Sequence, residues 1–279
     1  MQGVFKEISF ITISSFFGQL ISLFLVFYVA SALGSIAFGE LSYLLSIIIL
    51  FPVISGFGVP NAIFRFYNTL DNENENEKKI ILSTGFFFVF FSSLLLCIII
   101  YLILGFIQLD IIFDYRLICC LYGFILSLTS VLNVILRSKR DYKQTSLISV
   151  SQPIIKSALV LCTIFFLKLS VSSLLIVNII CESIILFYII RKLEERIHLN
   201  HFSLARLISL MRYGISFVPH RIVSKGQDPL IKSFILSFFG KEYVGLYALA
   251  QKVNLPFSFI IDKIQFIWGP LKFDIKRNI

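Results

Sequence analysis

Charged residues are scarce in this sequence. Asp, Glu, Lys and Arg make up 15% of its 279 residues, whereas a soluble domain typically carries about 25%. The five cysteines lie within apolar runs, with no CxxC spacing and no histidine close to them. We interpret them as small buried hydrophobic residues. These shortages argue against a soluble enzyme, a secreted disulfide scaffold and a nucleic-acid-binding module.

Catalytic motifs are also missing. The sequence contains no nucleophile elbow, no HExxH, no P-loop and no paired-carboxylate motif, each of which places reactive groups at a fixed spacing. We therefore expect a protein that is not an enzyme, that uses no cofactor or bound metal, and that does not draw energy from nucleotide hydrolysis.

Apolar residues dominate what is present. They form 57% of the chain, and the mean hydropathy is +0.90. Because a transmembrane helix needs about 20 apolar residues, the sequence predicts an all-α polytopic membrane protein with about eight spans. The first run is too long for a signal-peptide core and is expected to stay as a helix. The predicted spans cover residues 8–31, 41–64, 80–109, 117–136, 144–167, 169–190, 209–239 and 243–268.

The basic residues are distributed unevenly between the connections. Fifteen Lys and Arg fall on one side of the predicted spans and three on the other. By the positive-inside rule, this asymmetry places both termini in the cytoplasm. The net charge of +9 is then an orientation signal, and we expect no nucleic-acid partner.

A short pattern recurs at an offset of 206 residues. The segments 34–39 and 240–245 each begin and end with glycine, and each is followed by a tyrosine. Six predicted spans separate them, so both copies run in the same direction, as in parallel transporter repeats. We expect a six-helix first lobe at 1–197 and two helices of an incomplete second lobe at 198–279. A full second copy would end near residue 412, about 206 residues beyond the first, so we expect a C-terminally truncated chain.

The seventh span carries an unusual set of charges. Arg221, Lys225, Asp228 and Lys232 follow helical spacing and share one face. Turned toward lipid, four such residues would cost roughly 10 to 14 kcal/mol. A water-filled cavity with a positive potential is the better prediction, and it suits an anionic ligand such as a phosphate or pyrophosphate. Snorkelling and purely structural ion pairs remain as alternatives.

Residues at equal depth in spans seven and eight suggest two ion pairs. We expect Asp228 to pair with Lys252 and Arg221 to pair with Asp262. These pairs would leave the two lysines of span seven free for a ligand.

The first lobe has two intramembrane charges of its own. Lys156 lies in span five and Glu182 in span six, and ionisable groups at such positions are candidates for function. They either form a structural pair with each other or act as a substrate contact and a coupling-ion carboxylate.

Several short segments match a recognisable pattern, and they are 14–18, 34–39, 213–219, 233–240, 244–247 and 268–270. Together they resemble the polysaccharide-export branch of the multidrug/oligosaccharidyl-lipid/polysaccharide exporter superfamily, and in particular its Wzx-type O-antigen flippases. One departure concerns Asp228, because the family often has a basic residue next and this chain has Pro229.

The resemblance implies a V-shaped transporter of two six-helix lobes in the bacterial cytoplasmic membrane. It would move an undecaprenyl-pyrophosphate-linked oligosaccharide to the outer leaflet by alternating access, driven by a gradient of H⁺ or Na⁺. Its expected partners are the lipid-linked oligosaccharide, membrane lipids, the coupling ion and the polysaccharide polymerase machinery. The substrate-binding candidates are Arg221, Lys225, Lys232 and Lys156, and the ion-pair or coupling candidates are Asp228, Lys252, Asp262 and Glu182.

Three other functions remain open. An exporter of small cationic drugs from the same superfamily would need a carboxylate-lined cavity, whereas span seven has more bases than acids. A membrane-bound polymerase or acyltransferase usually presents a large outer loop or a catalytic loop histidine, and the outer connections here are short. The chain can also be an inactive fragment or an assembly partner.

Overall fold

The computed structural model describes residues 20–70, 74–106, 110–139, 141–166, 168–193 and 197–253. These residues are almost entirely helical, which confirms the all-α prediction. Two short 3₁₀ turns, Leu199–His201 and Ile215–Phe217, flank the ninth helix. The helices are α1 (Leu20–Leu33), α2 (Ser35–Ile48), α3 (Phe51–Gly56), α4 (Val59–Thr69), α5 (Glu75–Phe106), α6 (Asp110–Ser138), α7 (Tyr142–Phe166), α8 (Val171–Leu193), α9 (Leu204–Gly214), α10 (Val218–Phe239) and α11 (Lys241–Lys252).

Among the described residues, five helical stretches are long and apolar enough to cross a membrane, and the protein is therefore a multi-pass membrane protein. The long helix α5 has the apolar surface that a membrane span requires, since its Phe91 and Leu95 are 56% and 59% exposed. Such residues belong in lipid rather than in water. Predicted span one is described only from Leu20 onward, and predicted span eight only as far as Val253.

The second predicted span is not one continuous helix. It divides into α2, α3 and α4, with a left-handed break at Phe57 (φ 43°) and Gly58 (φ 71°). Pro52 and Pro60 stand in the first turns of α3 and α4, where the missing N–H of proline costs no helical hydrogen bond. The uninterrupted run of apolar residues concealed this break.

The seventh predicted span is likewise divided. We expected one helix over 209–239, but α9 ends at Gly214, a 3₁₀ turn follows, and α10 begins at Val218. Pro219 lies in the first turn of α10, which explains the new start because a proline at that place has no N–H to satisfy. Ser203 caps α9 by accepting a hydrogen bond from the backbone N–H of Arg206 at 3.4 Å.

Helix α6 lies at the centre of the packing and contacts α3, α4, α5 and α8. Its buried Val131, Leu132 and Ile135 belong to a core cluster that extends to Leu210 of α9. A second cluster joins α1, α2, α6 and α8 to Ala248 of α11. We call α1–α8 the first-lobe helices and α9–α11 the second-lobe helices, and both clusters connect the two sets.

The five cysteines are free thiols. Cys119, Cys120 and Cys181 are buried, as expected, and Cys97 is half-buried. Cys162 is exposed on the surface of the bundle, so the interpretation as a buried residue is wrong there. An apolar run does not reveal which of its residues face lipid.

Candidate transport cavity between the two sets of helices

The two repeated glycine segments adopt the same local structure. Gly34 has φ 80° and Gly240 has φ 90°, and each is followed at once by a helix, α2 or α11. Positive φ is readily adopted only by glycine. This agreement supports the internal repeat, and we call the part of the bundle that contains both glycines the turn end.

The helices α2 and α11 touch at the turn end through the glycines that close the repeated segments. A Cβ on Gly39 would lie 2.0 Å from the carbonyl oxygen of Lys241, and one on Gly245 would lie 2.3 Å from that of Ser35. Lys241 also forms an ion pair with Glu40, with 3.2 Å between Nζ and Oε2. The first turn of each helix therefore contacts the other helix, and only glycine permits this approach.

A second contact between backbones lies 19 residues further along the chain, at the left-handed break between α3 and α4. There, a Cβ on Gly58 would lie 2.0 Å from the carbonyl oxygen of Gly214. The nearby Tyr213 receives the guanidinium of Arg65 over its ring, 4.5 Å from the centroid, and packs edge-on against Phe66 at 5.6 Å. First-lobe and second-lobe helices thus meet at both ends of the bundle.

A cavity of about 290 Å³ lies between these two contacts. Its wall includes Lys156 from α7 together with Asp228, Lys232 and Lys252 from α10 and α11. Most of the remaining wall is apolar and comes from α1 and α2. Four of the eight candidate site residues, separated by up to 96 positions in the sequence, are therefore brought to one cavity.

Asp228 is paired differently from the prediction. Its Oδ2 atom lies 2.8 Å from Nζ of Lys232, and its Oδ1 atom accepts a hydrogen bond from Gln251 at 2.8 Å. Lys252 lines the same cavity but is not within ion-pair distance of Asp228 in the described part of the chain. The predicted Asp228–Lys252 pair is wrong because the lysine one turn away on the same helix is closer. Lys232 is therefore not free for a ligand, contrary to the prediction.

Glu182 also has a different partner. It is 7% exposed, and its Oε1 atom accepts a hydrogen bond from Nε2 of Gln152 at 2.6 Å. Gln152 lies one turn before Lys156 on α7, and within the described helices Lys156 is not at ion-pair distance from Glu182. The structural-pair alternative is therefore wrong as a direct contact. Lys156 points to the cavity, while Glu182 lies behind the wall.

The other candidates lie elsewhere. Arg221 and Lys225 are in the first half of α10, do not contribute to the cavity wall, and have no ion-pair partner among the described residues. Lys225 is exposed and Arg221 is half-buried. Asp262 is outside the described residues, so its pairing with Arg221 stays a prediction.

Uncharged polar residues complete the site, and the sequence reasoning passed over them. Ser42 accepts a hydrogen bond from Lys232 through its carbonyl oxygen at 3.4 Å, and Asn178 lines the cavity one turn from Glu182. Gln251 links Asp228 to the hydroxyl of Tyr247, which lies 3.0 Å away. Amides inside apolar runs are a usable signal, because burying them without partners is costly.

Metal binding finds no support in the described ranges, which contain no group of three or more His, Cys, Asp or Glu side chains that could hold an ion. The chemistry available to the cavity is instead electrostatic. Counted by residue type, its wall has three lysines and one aspartate, a formal excess of two basic residues. An apolar wall with such an excess suits an amphiphilic anion.

Comparison with known proteins identifies both a family and a fold. A family model described as "Polysaccharide biosynthesis protein" matches residues 4–264. A search of curated protein sequences found no significant match.

Two solved structures of MATE transporters have a similar fold. The MATE multidrug transporter DinF-BH superposes with a TM-score of 0.74 at 16% identity over 95% of this chain. An outward-facing multidrug resistance MATE family transporter of the MOP superfamily gives 0.68 at 18% identity over 96%. This chain spans 65% of the length of each. The similarity shows a MATE-like transporter fold.

Proposed function

The chain belongs to the polysaccharide biosynthesis protein family, and we propose that it is a flippase for a lipid-linked oligosaccharide. The substrate is an oligosaccharide on undecaprenyl pyrophosphate, such as an O-antigen or capsule repeat unit. The protein carries it from the inner to the outer leaflet of the bacterial cytoplasmic membrane. Both termini lie in the cytoplasm, and the turn end faces outward.

The observation that carries this proposal is the charge of the cavity. A pyrophosphate diester has two negative charges, and the cavity wall has two more basic than acidic residues. The three lysines of the cavity wall lie on three different helices, and they are Lys156, Lys232 and Lys252. An anion between them would therefore contact both lobes. Charge-assisted hydrogen bonds from lysine to phosphate oxygens are among the strong ones.

The two contacts between backbones fit alternating access. A transporter must be able to close its cavity toward either side, and this cavity lies between the crossing at Gly39 and Gly245 and the crossing at Gly58 and Gly214. The candidates for a coupling ion, H⁺ or Na⁺, are Glu182 and Asp228, and the ion would have to compete with their present partners Gln152 and Lys232. The polysaccharide polymerase is the expected partner that receives the substrate.

A multidrug exporter is the second candidate, because the similar solved structures are multidrug transporters. The cavity charge argues against a cationic drug, since three lysines repel it and the one aspartate is already engaged by Lys232. An anionic amphiphile matches the cavity better.

Deletion and complementation in the native strain test the flippase proposal. Loss of the gene should leave lipid-linked oligosaccharide on the inner leaflet and reduce surface polysaccharide. Expression of this chain should restore both, and its Lys156→Gln variant should not. Lys225→Gln removes the same charge outside the cavity and serves as the matched control. Normal surface polysaccharide in the deletion strain would contradict the proposal.

A further inference from the structure

Lys232 contacts both lobes from the wall of the cavity. Its side chain is only 6% exposed, and its Nζ atom has partners on two different helices. On α10 it lies 2.8 Å from Oδ2 of Asp228, and on α2 it donates to the carbonyl oxygen of Ser42 at 3.4 Å. The ammonium group therefore bridges a second-lobe helix and a first-lobe helix.

The Ser42 contact belongs to the same part of α2 as the glycine crossing. Ser42 lies about one turn after Gly39, where α2 touches α11. The next residue, Tyr43, has its hydroxyl oxygen 3.3 Å from the hydroxyl oxygen of Ser233, which follows Lys232 and itself donates to the carbonyl oxygen of Pro229. Two adjacent residues of α10 thus bond two adjacent residues of α2. These bonds reinforce the closed turn end.

The two bonds of Lys232 differ in strength. The contact with Asp228 is short and charge-assisted, while the contact with a neutral carbonyl at 3.4 Å is near the upper limit for a hydrogen bond. A phosphate oxygen is a much stronger acceptor for an ammonium group than a peptide carbonyl. An anion in the cavity would therefore displace Ser42 before Asp228.

We propose that Lys232 couples anion binding to the release of the turn end. This inference rests on the proposed function, because it assumes that the cavity receives a phosphate-bearing ligand. When the anion binds the ammonium group of Lys232, the hydrogen bond to Ser42 is lost. Helices α2 and α10 then separate more easily, and the Gly39–Gly245 crossing opens. Lys232 is a positioning residue in this step, and Asp228 keeps its side chain beside the cavity.

Distance measurement between spin labels tests this coupling on the 279-residue chain in lipid nanodiscs. Labels go on Ile36→Cys and Leu246→Cys, which are 57% and 52% exposed near the turn end. The exposed Cys162 is replaced by Ser. Inorganic pyrophosphate is the probe, and its absence gives the resting distribution. Thermal unfolding of each labelled variant verifies that it is folded.

We expect pyrophosphate to increase the ratio of open to closed turn ends by about fivefold, the effect of losing one long hydrogen bond. Lys232→Gln should be more open without pyrophosphate and insensitive to it. Lys225→Gln, which removes an exposed lysine of the same helix, should behave like the unsubstituted chain.

Two results would overturn the inference. One is an unsubstituted chain whose distances do not change with pyrophosphate, and the other is a Lys232→Gln variant that responds as fully as Lys225→Gln. Neither result depends on transport. If pyrophosphate opens the turn end through Lys232 while the complementation assay fails, the coupling stands and the flippase proposal is wrong.

Discussion

One added methyl group at the turn end should prevent the cavity from closing there. In Gly39→Ala the new Cβ would stand 2.0 Å from the carbonyl oxygen of Lys241, where ordinary contact begins at about 3.4 Å. The obstacle is backbone rather than a flexible side chain, so α2 and α11 must move apart by about 1.4 Å, the difference between these two distances.

The energetic consequence is large for the closed state and small for the fold. Overpacking by one methyl group typically costs about 1–3 kcal/mol, which reduces the ratio of closed to open turn ends by about 5- to 150-fold. The open state is free of this clash. We therefore expect a shift between conformations rather than unfolding, because alanine favours a helix over glycine by about 1 kcal/mol.

The opposite crossing provides a variant with the reverse effect. Gly214 has φ −65°, so alanine is free of backbone strain there, but its Cβ would lie 2.7 Å from the carbonyl carbon of Gly58. Gly214→Ala should therefore keep the cavity open at the Gly58–Gly214 contact, opposite the turn end. Gly226→Ala is the control for both, since no heavy atom of the described residues outside its own helix lies within 4 Å of that Cβ.

Thiol accessibility from each side of the membrane distinguishes these outcomes. Ser46 lines the cavity and is 4% exposed, so Ser46→Cys with Cys162→Ser gives a reporter for a membrane-impermeant maleimide. Gly39→Ala should speed labelling about tenfold from the turn-end side, and Gly214→Ala should do so from the opposite side. If Gly39→Ala is labelled from each side of the membrane at the same rate as Gly226→Ala, the reasoning is refuted.

Three further predictions concern the polar residues. Lys252→Gln should reduce flipping about as strongly as Lys156→Gln, because each removes one of the cavity's cations, while Lys225→Gln should leave leaflet-resolved transport unchanged. Gln152→Ala should lower the free energy of unfolding by about 1–3 kcal/mol, since it removes the hydrogen-bond donor of the buried Glu182; a denaturation series with an unchanged midpoint would contradict that. Gln152→Glu should be more destabilising still, because it places a second carboxylate 2.6 Å from the first.

The turn-end structure could be predicted in part from the sequence. The glycine spacing at 34–39 and 240–245 correctly indicated two equivalent helix starts. The glycine spacing does not predict that Gly39 and Gly245 contact each other. A repeat fixes the depth and direction of a helix in the membrane but not its lateral neighbours.

The ion pairs show the same limit. Equal depth suggested that Asp228 pairs with Lys252, yet the structure pairs it with Lys232. Both lysines are within reach by depth, and the intrahelical neighbour is closer because it is carried on the same backbone. The amides of Gln152 and Gln251 carry no charge and so do not stand out in an apolar sequence, although buried polar groups also require partners.

Transport in a reconstituted membrane is the most direct test of the flippase account. The chain is placed in proteoliposomes together with a fluorescent undecaprenyl-pyrophosphate-linked oligosaccharide, and in a parallel preparation with a cationic dye. We predict that the oligosaccharide reaches the opposite leaflet, that Lys156→Gln blocks this movement, and that the dye stays in place. Movement of the dye without the oligosaccharide, or movement of neither, would contradict the account.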